Sequence, residues 1–90
     1  MDINKIFKDG IHLFNQGEYN NAHICWEKIW KKGNKEHRIE IKGFIQLTGS
    51  ILNEIVGKET SALYLSKKSI KNIQLSNHLT QLIDTKILLT

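Results

Sequence analysis

Apolar residues recur at three- and four-residue steps along most of this 90-residue chain, and this spacing constrains the fold more than any other feature. Such a period places one stripe of side chains along one face of an α-helix. No stretch alternates apolar and polar residues as a half-buried strand does. Gly17, Gly33 and Gly57 separate the periodic runs, and proline is absent. The sequence therefore predicts helices joined by short turns.

The periodic runs define four helices, predicted at 3–15, 19–32, 37–56 and 61–73, with a loop at 33–36 and Thr60 capping the fourth. A short fifth helix is predicted after Ser76, with apolar contacts from Leu79, Leu82, Ile83 and Leu88. At this length we expect one domain, residues 1–90. The predicted fold is all-α, a single compact helical bundle of four to five helices with antiparallel neighbours.

A candidate polar site follows from the stretch 13–30, which contains both tryptophans. His23, Glu27 and Trp30 stand at positions i, i+4 and i+7, so they share one helix face. Gln46 is an amide within an otherwise apolar helix and needs hydrogen-bond partners if it is buried. We expect His23 and Glu27 to be those partners. The predicted site therefore comprises His23, Glu27, Trp30 and Gln46.

The chemistry of this site remains open at the level of sequence. His23 is either a satisfied structural imidazole or a ligand-binding or proton-transferring group oriented by Glu27. Two ligands do not make a zinc site, so neither a metal nor a cofactor is predicted, and no catalytic residue is identified. Cys25 is the single cysteine, which excludes an internal disulfide and fits a reducing, cytoplasmic compartment. We interpret it as a small buried hydrophobe rather than a nucleophile.

The charge is mildly basic, with 13 Lys and Arg against 9 Asp and Glu. Six basic residues lie close together in sequence: Lys28, Lys31, Lys32, Lys35, Arg38 and Lys42. Acidic residues dilute this group and no aromatic residue interleaves with its loop, so a solvated surface is favoured over nucleic-acid binding. The N-terminus is polar and no apolar run approaches about 18 residues, so neither a secretory signal nor membrane insertion is expected.

The first three predicted helices contain a Phe-Asn-x-Gly-x-Tyr turn, then Ala-His-x-x-Trp-Glu and a second Trp, then Gly-x-Ile-Gln. The positions are Phe14, Asn15, Gly17, Tyr19, Ala22, His23, Trp26, Glu27, Trp30, Gly43, Ile45 and Gln46. This arrangement resembles the family known as domain of unknown function 309, whose pattern has Ala-His-Glu-x-Trp-Glu in the second motif and Gly-Leu-Ile-Gln in the third. The resemblance covers about residues 7–65 and implies a helical bundle without an established reaction. Ile24 replaces the usual Glu after the His, and Phe44 replaces the usual Leu.

A weaker resemblance is to a tetratricopeptide helical hairpin, although the pattern does not repeat after about 34 residues. Three functions are compatible with these features. The favoured one is a non-enzymatic module that binds an unknown protein or small molecule at the polar site. The alternatives are a hydrolytic or metal-dependent enzyme using His23 and Glu27, and a weak binder of nucleic acid or anionic surfaces through residues 28–42. A homodimer through Ile83, Ile87 and Leu88 is compatible with each.

Overall fold

The computed structural model describes residues 2–76, 78 and 79. Within them the chain forms four helices, α1 (Ile3–Asn15), α2 (Tyr19–Lys32), α3 (Lys35–Ile55) and α4 (Glu59–Leu75). Each helix packs against the next one along the chain. The all-α prediction is therefore confirmed. The predicted dimer strip and nearly all of the predicted fifth helix lie outside the described residues.

Two helix starts differ from the prediction, and only the first of them has a side-chain cap. The Asn34 side chain accepts a hydrogen bond from the His37 backbone amide at 2.9 Å, and His37 Nδ1 accepts one from the Asn34 amide at 3.3 Å. This reciprocal pair is a capping box, which lets α3 begin at Lys35 rather than at residue 37. Helix α4 begins at Glu59 without a side-chain cap, so Thr60 lies inside the helix instead of capping it.

The two helical hairpins close through the same kind of turn. Gly17 and Gly57 adopt φ values of 80° and 83°, in the left-handed region that side chains disfavour. After each glycine the next amide bonds back five residues, from Glu18 to the Leu13 carbonyl and from Lys58 to the Asn53 carbonyl. This is the usual glycine-terminated helix end. The turns predicted at both glycines are confirmed.

Trp26 lies at the centre of the core and contacts residues from two other helices. Its side chain is fully buried, and its ring centroid lies 5.8 Å from that of Phe7 and 5.6 Å from that of Phe44. The indole Nε1–H donates to the Phe7 carbonyl at 3.2 Å. Gly10 makes room for the ring, because a Cβ atom built there would overlap the indole. The absence of a side chain at Gly10 therefore sets how closely α1 approaches α2.

Glycines in α3 meet α4 in two different ways. A Cβ atom at Gly43 would lie 2.5 Å from the backbone nitrogen of Ile73, and the Gly43 carbonyl accepts a hydrogen bond from Ser69 Oγ at 2.9 Å. At Gly49 the nearest atom to an added Cβ would be Leu65 Cδ1, at 3.4 Å. The backbones of α3 and α4 therefore approach closely at Gly43, whereas Gly49 leaves room for an ordinary contact with Leu65.

We predict that Gly10→Ala lowers the free energy of unfolding by about 1–3 kcal/mol, because the new methyl group overpacks against the Trp26 indole. Each kcal/mol should lower the thermal midpoint by roughly 4–8 °C in a domain of this size. Gly49→Ala is the matched control. Its methyl group fits, so the gain in helix propensity, at most about 1 kcal/mol, should leave the midpoint unchanged or higher. Equal midpoints for the two variants would contradict the tight fit at Gly10.

Candidate functional site

His23 is anchored to the core by a threonine of the neighbouring helix. His23 Nδ1 lies 2.7 Å from Thr48 Oγ1, which in turn lies 2.8 Å from the carbonyl oxygen of Ile45. A threonine inside a helix ordinarily donates its single hydroxyl hydrogen to a carbonyl of the preceding turn. We infer that the Thr48 oxygen accepts a hydrogen bond from His23 Nδ1–H, a direction that depends on the tautomer of the imidazole. The Thr48 side chain is fully buried, so this end of the imidazole faces the protein interior.

The other edge of the imidazole faces Glu27. His23 Nε2 lies 3.3 Å from Glu27 Oε1, and the two side chains are 25% and 37% exposed. When both ring nitrogens carry protons, this contact is an ion pair. The i, i+4 pairing expected from the sequence is therefore present. A chain of contacts, which we call the relay, leads from the buried Thr48 through His23 to the partly exposed Glu27.

Gln46 does not join the relay, contrary to expectation. Its Oε1 accepts a hydrogen bond at 2.7 Å from Nδ2 of Asn72 in α4. The reason is geometric, since residues two apart on a helix are separated by about 200° around its axis. Thr48 therefore faces α2, whereas Gln46 faces α4. Thr48, and not Gln46, is the hydrogen-bond partner of His23. The sequence feature that could have indicated this is the Thr48 hydroxyl within an apolar stripe.

A surface groove runs beside the relay, between α2 and α3. Its volume is about 250 Å³. We call it the Trp30 groove, and its lining residues are Glu27, Trp30, Lys42, Ile45 and Gln46. Three of the four predicted site residues thus line one groove. His23 does not line it and instead lies behind Glu27.

The indole of Trp30 is held in place at the edge of this groove. Trp30 is 37% exposed, and the Arg38 guanidinium carbon lies 5.4 Å from the centroid of the Trp30 ring. Arg38 Nε also donates a hydrogen bond to the Trp30 carbonyl at 2.9 Å. A cation over one ring face leaves the rest of the exposed aromatic surface for a ligand.

The other residues singled out from the sequence are distributed around α2 and α3. Lys42 lines the Trp30 groove, while Lys28, Lys31, Lys32 and Lys35 have exposed side chains. Within residues 2–76, 78 and 79, no three His, Cys, Asp or Glu side chains are grouped so that they could hold a metal ion. Over the same residues, no helix has the length and apolar character needed to cross a bilayer.

Cys25 lies on a different side of α2 from His23. Its thiol donates to the Ile6 carbonyl of α1 at 3.3 Å. Burial raises the pKa of the Cys25 thiol, and nearby Asp9 raises it further, while Lys28 opposes the shift. A raised pKa disfavours the thiolate, which is the nucleophilic form. Cys25 is half-buried rather than buried as predicted, and its raised pKa is consistent with an unreactive thiol.

A protein-family model described as a domain of unknown function (DUF309) matches residues 7–65, well over half of the chain. The chain belongs to the DUF309 family. Comparisons with curated proteins and with solved structures find no match. The DUF309 match extends from α1 into α4, so it contains both the relay and the Trp30 groove.

One of the two departures from the usual DUF309 pattern affects a surface position, whereas Phe44 lies in the core. Ile24, which replaces the usual Glu after His23, is 49% exposed. His23, by contrast, retains its contacts with Thr48 and Glu27. The replacement therefore removes a carboxylate from the outer surface of α2 and leaves the relay intact.

We predict that His23 and Thr48 are energetically coupled. The test is a double-mutant cycle of His23→Ala and Thr48→Val. The losses of unfolding free energy in the two single variants should add up to about 0.5–1.5 kcal/mol more than the loss in the double variant. The reason is that each single change leaves the partner's polar group without its hydrogen bond. Unfolding by urea measures each free energy. A parallel cycle of Thr48→Val with Leu63→Ala, an exposed residue of α4, should be additive. Additivity in both cycles would contradict the hydrogen bond.

We also predict that Cys25 reacts more slowly with iodoacetamide in the folded protein than in the urea-unfolded chain at pH 8. The raised pKa of the folded thiol leaves a smaller thiolate fraction at this pH, and the difference should narrow as the pH rises through the folded pKa. Mass spectrometry of timed samples gives both rates. Equal or faster alkylation of the folded protein would contradict the assignment of Cys25 as an inert thiol.

Proposed function

We propose that this DUF309 protein is a non-enzymatic interaction module that binds a segment of another protein in the Trp30 groove. The observation that carries the proposal is the orientation of the relay. The Thr48 hydroxyl at one end of the relay is fully buried, and its oxygen is hydrogen-bonded to His23 Nδ1. The relay therefore acts as an internal support for α2 beside the groove.

The contacts of His23 favour this structural role over hydrolytic or metal-dependent chemistry. A general base activates a nucleophile by taking its proton, so the nucleophile must lie within hydrogen-bond reach of the base's free nitrogen. The relay hydroxyl lies on the buried side of the imidazole, and Glu27 lies against Nε2. Within the part of the chain that the structure describes, no hydroxyl or thiol side chain lines the groove.

The groove has the composition of a small interface. Trp30 and Ile45 supply apolar surface, while Glu27, Lys42 and Gln46 supply polar groups around it. Tryptophan is among the residues that contribute most to binding at protein interfaces. Arg38 holds the indole in one orientation, which reduces the entropy lost on binding. At about 250 Å³ the groove is smaller than the ~300–1,000 Å³ typical of small-molecule sites, which favours a partner segment that inserts one side chain.

We predict that peptides selected from a random 12-residue library on the wild-type protein bind through Trp30. Trp30→Ala should weaken their binding at least about 30-fold, the equivalent of about 2 kcal/mol for a hot-spot residue. Fluorescence anisotropy of labelled selected peptides gives the dissociation constants. Leu63→Ala is the matched control, since Leu63 is exposed and does not line the groove.

Circular dichroism should first establish that both variants are folded, which the exposure of Trp30 and Leu63 leads us to expect. Binding by Trp30→Ala within twofold of wild type would contradict the proposed site. A library that yields no enriched peptide would contradict the proposed function.

A further inference from the structure

A second groove, between α3 and α4, carries three positive charges. Lys42 of α3 and Lys68 and Lys71 of α4 line it, in a space of about 450 Å³. Among the described residues that line it, none is acidic. We call it the lysine groove. Ammonium groups held within one concave surface raise the local positive potential and attract negatively charged groups.

Polar groups of both helices complete this groove. Gln46 and Asn72 also line it, joined by their 2.7 Å hydrogen bond, and the Lys68 ammonium lies 5.6 Å from the ring centroid of Tyr64. The amide pair fixes two neutral donors and acceptors beside the lysines. The contact with Tyr64 restricts the Lys68 side chain, so part of its ordering cost precedes ligand binding.

The two grooves are neighbours that share residues of α3. Lys42 and Gln46 line both, so a bound segment that crosses α3 meets Trp30 on one side and the lysines of α4 on the other. We infer that the partner segment is acidic, with an apolar side chain against Trp30 and Ile45 and two or more carboxylates among Lys42, Lys68 and Lys71. This inference rests on the proposed function and specifies the chemistry of its partner.

Charge and ring geometry favour a protein segment over a nucleic acid. Glu27 stands in the Trp30 groove beside Lys42, where it would repel a phosphate backbone. Arg38 lies over the Trp30 ring, which limits the stacking of bases that single-strand binders rely on. A peptide avoids both conflicts. It can place an apolar side chain beside the Glu27 carboxylate and its acidic residues in the lysine groove.

The test uses the same random peptide library and two charge-reversed proteins. The first variant, Lys68→Glu combined with Lys71→Glu, reverses the two charges that α4 contributes to the lysine groove. The control is Lys67→Glu, on the same helix but outside the groove lining. We expect peptides enriched on the wild type to be rich in Asp and Glu. The double variant should bind them at least tenfold more weakly, while the control should bind them within threefold. Their affinity for wild type should fall as NaCl rises from 50 to 300 mM.

Each remaining outcome identifies what fails. Enriched peptides without acidic residues, which depend on Trp30 and are unaffected by the double variant, would overturn the inference and retain the proposed function. No enrichment would overturn both. Micromolar binding of a labelled oligothymidine or RNA, lost in the double variant, together with no enrichment of acidic peptides, would overturn the inference in favour of a nucleic acid.

Discussion

The position of the Trp26 indole against Gly10 determines how the first three helices are arranged. The ring contacts Phe7 of α1 and Phe44 of α3, and its Nε1–H donates to an α1 carbonyl. A fully buried tryptophan needs such a partner for its one donor. Because Trp26 points inward, His23 and Trp30, one helical turn away on either side, fall at the boundary of the core. The location of the candidate site is thus a consequence of core packing.

Helix α3 serves two neighbours with two different polar side chains. Thr48 faces α2 and accepts the hydrogen bond from His23, whereas Gln46 faces α4 and accepts one from Asn72. Each pair satisfies polar groups that would be costly to bury without partners. Together they fix the rotation of α3 between its neighbours. The Trp30 groove and the lysine groove lie on the two sides of the ridge that this rotation presents.

Local patterns predicted most of the helical architecture. Periodicity and the glycine turns correctly predicted the ends of α1 and α2, and the spacing of His23 and Glu27 correctly predicted their contact. All of these features depend on residues within one or two helical turns of each other. The partners of His23 and Gln46 could not be predicted, since they depend on how far α3 is rotated relative to α2 and α4. The capping box at Asn34 was missed because its fourth member, at His37, is a histidine instead of the usual Glu or Gln. Lys42 and Lys71 share a groove through helix packing alone, which no sequence spacing records.

We interpret His23 as a support held by Thr48, with its Nδ1–H directed into the protein. Long-range ¹H–¹⁵N NMR correlation spectra of the imidazole measure which ring nitrogen carries hydrogen. We predict a protonated Nδ1 in the folded protein. An unprotonated Nδ1 in the neutral ring would contradict it. In that case the Thr48 hydroxyl donates a hydrogen bond to the imidazole, and His23 Nδ1 accepts it.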